Sequence, residues 1–326
     1  MTFDIVIPTI GRSSLCTLLA SLDRSSGPMP ERIFVVDDRR NASEALDLGA
    51  ISAQLRERIV LIRTNALGPG SARNAGWRSS RSEWVAFLDD DVVVDESWRA
   101  DLVHDLAALD VQIAGSQGSV RVPLREDRAP TDWERNVARL QDAPWITADM
   151  AYRRTVLDAV GGFDERFRRA YREDADLALR VLEAGYRVAR GSRRVAHPVR
   201  EADPWISVRL QAGNADDVLM NALHGKGWRS RASSTRGRFP RHAATVALAA
   251  AGMIALGARA RGTALLLFTA WGAMTTKFAW ERIAPGPRTA REVRAMLLTS
   301  VAIPFAAVFH RARGTALLPR LLRPSP

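Results

Sequence analysis

One stretch limits the fold of this chain more than any other: residues 84–94, read WVAFLDDDVVV. Trp84–Leu88 is an unbroken apolar run, too short for a helix and suited to a strand buried on both faces. Asp89, Asp90 and Asp91 follow without a spacer, and three adjacent carboxylates repel unless positive charge sits among them. In an open parallel sheet, ligands bind at the carboxyl ends of the strands, which is where this cluster falls. Oxygen ligands suit a hard divalent cation such as Mg²⁺ or Mn²⁺, which commonly carries a phosphate as a further ligand. The competing reading is an acidic turn that only caps the next segment.

The chain before this stretch has a repeating order. Residues 3–8 read as a first strand, followed by the loop Thr9-Ile10-Gly11-Arg12. Ser13 or Ser14 then opens a helix with Leu15, Leu18, Leu19 and Leu22 on one face. Residues 32–36 form a second strand ending in Asp37-Asp38. A helical segment is predicted over residues 42–48, and a third strand over 58–62. Residues 68–76 are a glycine-rich turn opening a helix, and Trp84–Leu88 is the fourth strand. Strands alternating with helices imply a parallel α/β sheet. Further on, strands are expected at 111–114, 119–122, 145–152, 186–189 and 195–197. Helices are expected at 98–109, 154–160 and 174–184, and Gly161-Gly162 terminates the second of these.

Composition separates the two ends of the chain. The net charge is +11, yet residues 226–326 hold 17 Lys/Arg against only Glu281 and Glu292. The remainder is slightly acidic, so the basic character belongs to the tail. Residues 226–242 form a basic connector with Arg229, Arg231, Arg236, Arg238 and Arg241. Three apolar segments follow, at 243–257, 263–280 and 295–309. Cys16 is the sole cysteine, which excludes an internal disulfide and a cysteine-rich metal site and fits a reducing compartment. The N-terminus enters an apolar run at once with no basic segment before it, so no cleaved signal peptide is expected.

Several residues can carry chemistry. Asp38 either accepts hydrogen bonds from a nucleobase imide or ribose hydroxyls, or caps a helix. Pro8-Thr9 offer backbone amides and a hydroxyl to the same crevice. The turn at 68–76 supplies a helix N-terminus favourable to anions, and Arg73 adds a fixed charge with planar donors. Glu173-Asp174-Ala175-Asp176 opens a helix; acids there suit the helix dipole, and one of them can serve as a general base. His197 is either a structural histidine or a metal ligand beside the aspartates.

Taken together, these motifs resemble a family 2 glycosyltransferase with the GT-A fold. The resemblance rests on Ile7-Pro8-Thr9, Val35-Val36-Asp37-Asp38, Gly70-Ser71-Ala72-Arg73-Asn74-Ala75-Gly76 and Phe87-Leu88-Asp89-Asp90-Asp91. Ala151-Tyr152-Arg153-Arg154, Gly161-Gly162-Phe163-Asp164-Glu165 and Glu173-Asp174-Ala175-Asp176-Leu177 continue it, with Arg180 and Gly185-Tyr186. It covers roughly residues 3–200. It implies a Rossmann-like α/β catalytic domain with a mostly parallel central sheet, followed here by an apolar helical tail. It also implies inverting transfer of a sugar from a UDP-, GDP- or dTDP-sugar to a hydroxyl acceptor. By the same resemblance Pro8, Thr9, Asp38, Arg73, Asp89 and Asp90 bind the nucleotide sugar. Asp89, Asp91 and His197 hold the divalent cation, Asp90 is the spacer of the DXD motif, and Asp174 is the catalytic base. The Gln-x-x-Arg-Trp signature of processive synthases is absent, which favours transfer of a single sugar.

The expected domains are 1–225 for the catalytic part, 226–242 for the linker and 243–326 for the tail. The apolar segments are read as a membrane-associated hairpin or interfacial helices, against the alternative of a soluble helical subdomain. The basic connector would then meet an anionic membrane surface and keep the catalytic domain cytoplasmic. A nucleic-acid partner is not expected, since the basic residues interleave with long aliphatic runs. An acceptor that is lipid-linked or part of a cell-envelope glycan follows from the tail alone. Two other functions compete: a sugar nucleotidyltransferase, and a non-catalytic scaffold that binds nucleotide sugars.

Overall fold

A computed structural model describes residues 1–234 and 237–323; Arg236 of the basic connector lies outside them. Packing divides the chain into two compact units. The first comprises Met1–Pro123 and Ala138–Val199, the second Leu124–Val137 and Arg200–Pro326.

The first unit is built on one eight-stranded sheet. Its strands are β1 (Phe3–Thr9), β2 (Ile33–Asp37), β3 (Ile59–Arg63), β4 (Trp84–Leu88), β5 (Val93–Val94), β6 (Ile113–Arg121), β7 (Asp149–Arg153) and β8 (Arg187–Ala196), in the order β3-β2-β1-β4-β7-β6-β8-β5. The pairs β1–β2, β1–β4 and β2–β3 are parallel. Strand β7 runs antiparallel to both β4 and β6, and β8 is parallel to β6. Strands β7 and β5 are reversed, β5 running antiparallel to β8, so the carboxyl ends of β1, β2, β4 and β8 lie on the same edge, together with the start of β7.

Helices α1 (Ser14–Arg24), α2 (Pro69–Ser79), α3 (Trp98–Ala107), α4 (Arg154–Val160) and α5 (Glu173–Glu183) complete this unit. Leu15, Leu18, Leu19 and Leu22 are all buried on α1, as the leucine spacing requires. Trp84–Leu88 is buried at every position, which fits a central strand covered on both faces. Val6, Val36, Trp77, Phe87, Tyr152 and Leu177 share one core, with the Phe87 and Phe163 rings packed edge to face at 5.3 Å.

Two local expectations fail. Residues 42–48 form no helix. The segment is largely exposed, so no tertiary burial supplies what an isolated helical turn lacks. The paired short strands expected at 111–122 and 186–197 are instead two long strands, β6 and β8. Gly118 explains why glycines here do not break the strand: a Cβ would lie 2.1 Å from Asp149 Oδ2. The glycine admits the buried Asp149 carboxylate, which accepts from Arg193 Nε at 2.7 Å and Trp98 Nε1 at 2.9 Å.

The second unit is helical, with α6 (Gly213–His224), α7 (Phe239–Gly257), α8 (Arg261–Ile283) and α9 (Ala290–Leu321). Each of the three apolar segments in the tail falls within one of α7, α8 and α9. Residues 200–225 pack with them, as does Leu124–Val137. Buried Arg282 is a reason for the latter: its guanidinium reaches Thr299 Oγ1 (2.8 Å) and Ser300 Oγ (3.0 Å) on α9, and Asp132 Oδ2 (2.8 Å). Phe239–Gly257 and Ala290–Leu321 are long and apolar enough to cross a membrane, and only 17% and 33% of their most apolar stretches are buried. The segment 263–280, which comes close to spanning length, is not among them; Thr, Gly and Lys277 dilute it.

Candidate active site

The sheet edge described above gathers the carboxylates, and each of the three adjacent aspartates meets a different partner. Asp89 takes Arg73 Nη2 at 2.7 Å. Asp90 accepts from Thr9 Oγ1 at 2.6 Å and from Arg12 Nη1 at 2.7 Å. Asp91 Oδ1 lies 3.4 Å from His197 Nε2, and its Oδ2 lies 3.8 Å from Arg12. The positive charge that such a cluster demands is thus supplied in part by two guanidiniums, from the β1 loop and from α2.

A small cavity of about 80 Å³ is lined by Pro8, Thr9, Arg12, Asp38, Ala72 and Asp90. It unites most of the residues that the sequence assigns to the nucleotide. Asp38, however, is largely occupied by its own neighbours. It accepts from Thr64 Oγ1 (2.7 Å), Leu67 N (2.8 Å) and Gly68 N (2.8 Å). It therefore shapes the turn that enters α2, and is not the cap of a helix following β2.

Asn74 fixes α2 against the segment around Phe163. Its Oδ1 accepts from Trp77 Nε1 (2.8 Å) and Phe163 N (2.9 Å), while its Nδ2 donates to Phe163 O (2.9 Å) and Glu165 Oε1 (2.8 Å). Gly162 has φ +72°, and a Cβ there would stand 2.6 Å from Asn74 Oδ1. Both conditions call for glycine.

Arg73 ties this half of the edge to α5. It is 2% exposed and bridges Asp89 and Glu173, the latter at 3.1 Å. Burial alone would lower its pKa; Asp89, Asp174 and Glu173 outweigh that and hold it up. Glu173 shows the opposite balance. Burial and the adjacent Asp174 push its carboxyl well above the ordinary carboxylate range, against the pull of Arg73. Glu173 is thus held toward its protonated form. Asp174 Oδ2 is held by Thr147 N (3.1 Å) and Thr147 Oγ1 (3.2 Å), from the segment that leads into β7.

Four buried polar atoms at this edge have no protein hydrogen-bond donor or acceptor assigned: Arg73 Nε, Glu173 Oε2, Asp174 Oδ1 and His197 Nδ1. Buried polar atoms without partners are uncommon in folded proteins, and their clustering here marks a place built to receive polar groups.

The predicted metal ligands are only partly brought together. Asp91 and His197 meet, whereas Asp89 turns to Arg73. Among the described residues no three His, Cys, Asp or Glu side chains are grouped to hold a metal ion. The Asp91–His197 pair does fit a hard divalent ion that takes its other ligands from water and phosphate oxygens. Arg12, Thr147 and the pairing role of Glu173 were not assigned from sequence. Arg12 reaches Asp90 across 78 positions, so no local pattern marks it.

The raised pKa of Glu173 has a measurable consequence. Above its ordinary value of 4.5 the unfolded chain loses this proton while the folded chain keeps it. Folding stability from this group is therefore complete below pH 4.5 and falls as pH rises toward the higher folded value. Glu173→Gln removes the titration and keeps a side-chain oxygen for Arg73. Its melting temperature relative to wild type should climb from acidic to neutral pH; a constant difference would show that Glu173 is not protonated in the fold.

The family profile described as "Glycosyl transferase family 2" matches residues 4–173, more than half of the chain. The pre-mycofactocin glycosyltransferase of Mycobacterium tuberculosis is 29% identical, over 48% of this chain and 35% of that protein. The poly(ribitol-phosphate) β-N-acetylglucosaminyltransferase TarS of Staphylococcus aureus is 29% identical over 29% of this chain and 17% of its own length. The chain thus spans about a third or less of these curated relatives. Among solved structures, the mannosyltransferase PcManGT of Pyrobaculum calidifontis, in complex with GDP-Man and Mn²⁺, superposes with a TM-score of 0.53. That match is 18% identical and covers 95% of this chain and 86% of that one. It shows the same GT-A fold.

Proposed function

The chain belongs to glycosyl transferase family 2, and from that premise we propose that it transfers a single sugar, with inversion, from a nucleotide sugar to a hydroxyl acceptor. One observation carries this reading. The edge of a single sheet gathers Arg73, the aspartate triplet and Asp174 held by Thr147, and four buried polar atoms there have no hydrogen-bond partner among the described residues.

The contacts support a set of roles. Pro8, Thr9 and the turn held by Asp38 face the nucleotide, and Arg73 with Asp89 faces its diphosphate. Asp91 and His197 would hold a divalent cation, which when bound stabilises the charge that develops on the leaving diphosphate. Asp174 accepts the proton of the acceptor hydroxyl. Its Oδ1 has no hydrogen-bond partner among the described residues, and its lone pairs can accept that hydroxyl. Attack from the side of Asp174, opposite the departing diphosphate, inverts the anomeric centre.

The relatives named above act, by their names, on a mycofactocin precursor and on poly(ribitol-phosphate). Together with the apolar helices they support a lipid-linked or cell-envelope acceptor here. The helical unit would associate with an anionic membrane through its basic segment, leaving the catalytic unit cytoplasmic.

A thermal-shift panel of UDP-, GDP- and dTDP-sugars with Mg²⁺ or Mn²⁺ tests the donor. A donor at about a hundred times its Kd stabilises the fold by about 2.7 kcal/mol. One nucleotide class should raise the melting temperature, more so with the metal. Asp91→Ala should keep the shift from nucleotide alone and lose the metal-dependent part. Absence of any shift with every donor would overturn the reading.

A further inference from the structure

We propose that the helical unit contains a binding site for the phosphate headgroup of an anionic lipid, at one end of the α7–α8 hairpin. A cavity of about 200 Å³ opens there, lined by Arg238 and Arg241 at the start of α7, by Met274, Thr275, Lys277 and Phe278 near the end of α8, and by Pro304 of α9. The two helices are joined by the three residues 258–260, so they run antiparallel and their basic ends coincide.

The chemistry of the lining selects the ligand. Three cations face a single carboxylate, Glu281, which is ion-paired to Arg238 and lies 3.9 Å from Arg241. The rim therefore keeps an excess of positive charge, and Arg241 stays 70% exposed. Inside, Thr275 is 9% exposed and its Oγ1 has no hydrogen-bond partner among the described residues. An unpartnered buried hydroxyl carries a desolvation cost that a phosphate oxygen would remove. Apolar walls beside this hydroxyl suit a molecule that is anionic at one end and hydrocarbon behind it.

Size and surface decide between a free anion and a lipid. The cavity is too small for a whole lipid, but the surrounding helices present an apolar surface to continue along. Met253 and Ile254 on α7, Leu265 and Leu266 on α8, and Phe305 and Phe309 on α9 are between 43% and 73% exposed. A free phosphate would use the rim and leave these faces in water. A lipid covers both, with its charge at the cations and its chain along the helices, which is how basic amphipathic elements hold anionic lipids.

This site is independent of the transfer reading, since binding is measured without donor. The full-length protein is floated with phosphatidylcholine vesicles, alone or containing phosphatidic acid or phosphatidylglycerol at equal charge. Phosphatidic acid carries a terminal phosphate monoester and phosphatidylglycerol does not. The expected result is tighter binding to phosphatidic acid vesicles than to phosphatidylglycerol vesicles of the same charge. Arg241→Glu with Lys277→Glu should weaken that binding at least about tenfold, given the attraction of each basic residue to an anionic surface. Both side chains are exposed, and an unchanged melting temperature without ligand would confirm that the fold persists. Thr275→Val should abolish the preference for the monoester while keeping general attraction to anionic vesicles. Equal binding to the two anionic lipids, or a preference untouched by Thr275→Val, would overturn the proposal. So would a rise in melting temperature with inorganic phosphate that Thr275→Val removes, together with no binding to vesicles, which would identify the ligand as the free ion.

Discussion

Asp174→Asn is expected to lower the rate of sugar transfer by about 10²–10⁴-fold while leaving donor binding and the melting temperature near wild type. The contacts predict this separation. Thr147 donates both its N–H and its hydroxyl to Asp174 Oδ2. An asparagine can place its carbonyl oxygen in the same position and keep both hydrogen bonds. Its amide then occupies the position of Oδ1, where it can no longer take a proton from a hydroxyl. Structure is conserved and basicity is lost. The measurement is steady-state transfer set beside a donor titration on the same preparation. Transfer at the wild-type rate would remove Asp174 from the reaction, and loss of donor binding would assign it a structural role instead.

Arg73→Met should have the second large effect, on folding as well as on the donor. Arg73 is almost wholly buried and supplies the positive partner for both Asp89 and Glu173. Removing one partner of a buried pair leaves charge without compensation, at a cost of about 3–5 kcal/mol. Burial favours the protonated form of Glu173, so the penalty falls mainly on Asp89. Denaturant unfolding should show the loss, and the nucleotide-dependent thermal shift should disappear. Arg73→Lys is the informative companion. A single ammonium cannot donate along two directions as a guanidinium does, so it should recover part of the stability and little of the donor affinity. Stability of Arg73→Met within about 1 kcal/mol of wild type would place this network among the dispensable surface-like pairs.

Local pattern carried the fold further than it carried the site. Strand β4 and helix α4 begin and end where apolar periodicity and flanking glycines place them. Those signals lie within a few residues of one another, which is why they can be read from sequence. Residues 42–48 misled because helical propensity says nothing about whether a core exists to receive the face. Strand β6 runs on through Gly118, which makes room for Asp149, a contact that no local pattern reveals. At the site, Asp89–Asp91, Arg73 and Asp174 were identifiable as residue types in register with a known family. Their partners were not. Arg12, Thr147 and Glu173 become meaningful only once β1, β7 and α5 have been brought to one edge, and the distribution of protons follows from burial.

The distances along the chain that close this site have a consequence for how it forms. Thr9 and Asp90 are separated by 81 positions, and Arg73 and Glu173 by 100. Contacts of such long range are made only after much of the chain has paid its loop-closure entropy, and proteins dominated by them fold slowly. No early hairpin or isolated helix of this chain can hold even half of the constellation. Nucleotide affinity should therefore emerge late and all at once during refolding, making a bound nucleotide a reporter of complete sheet assembly.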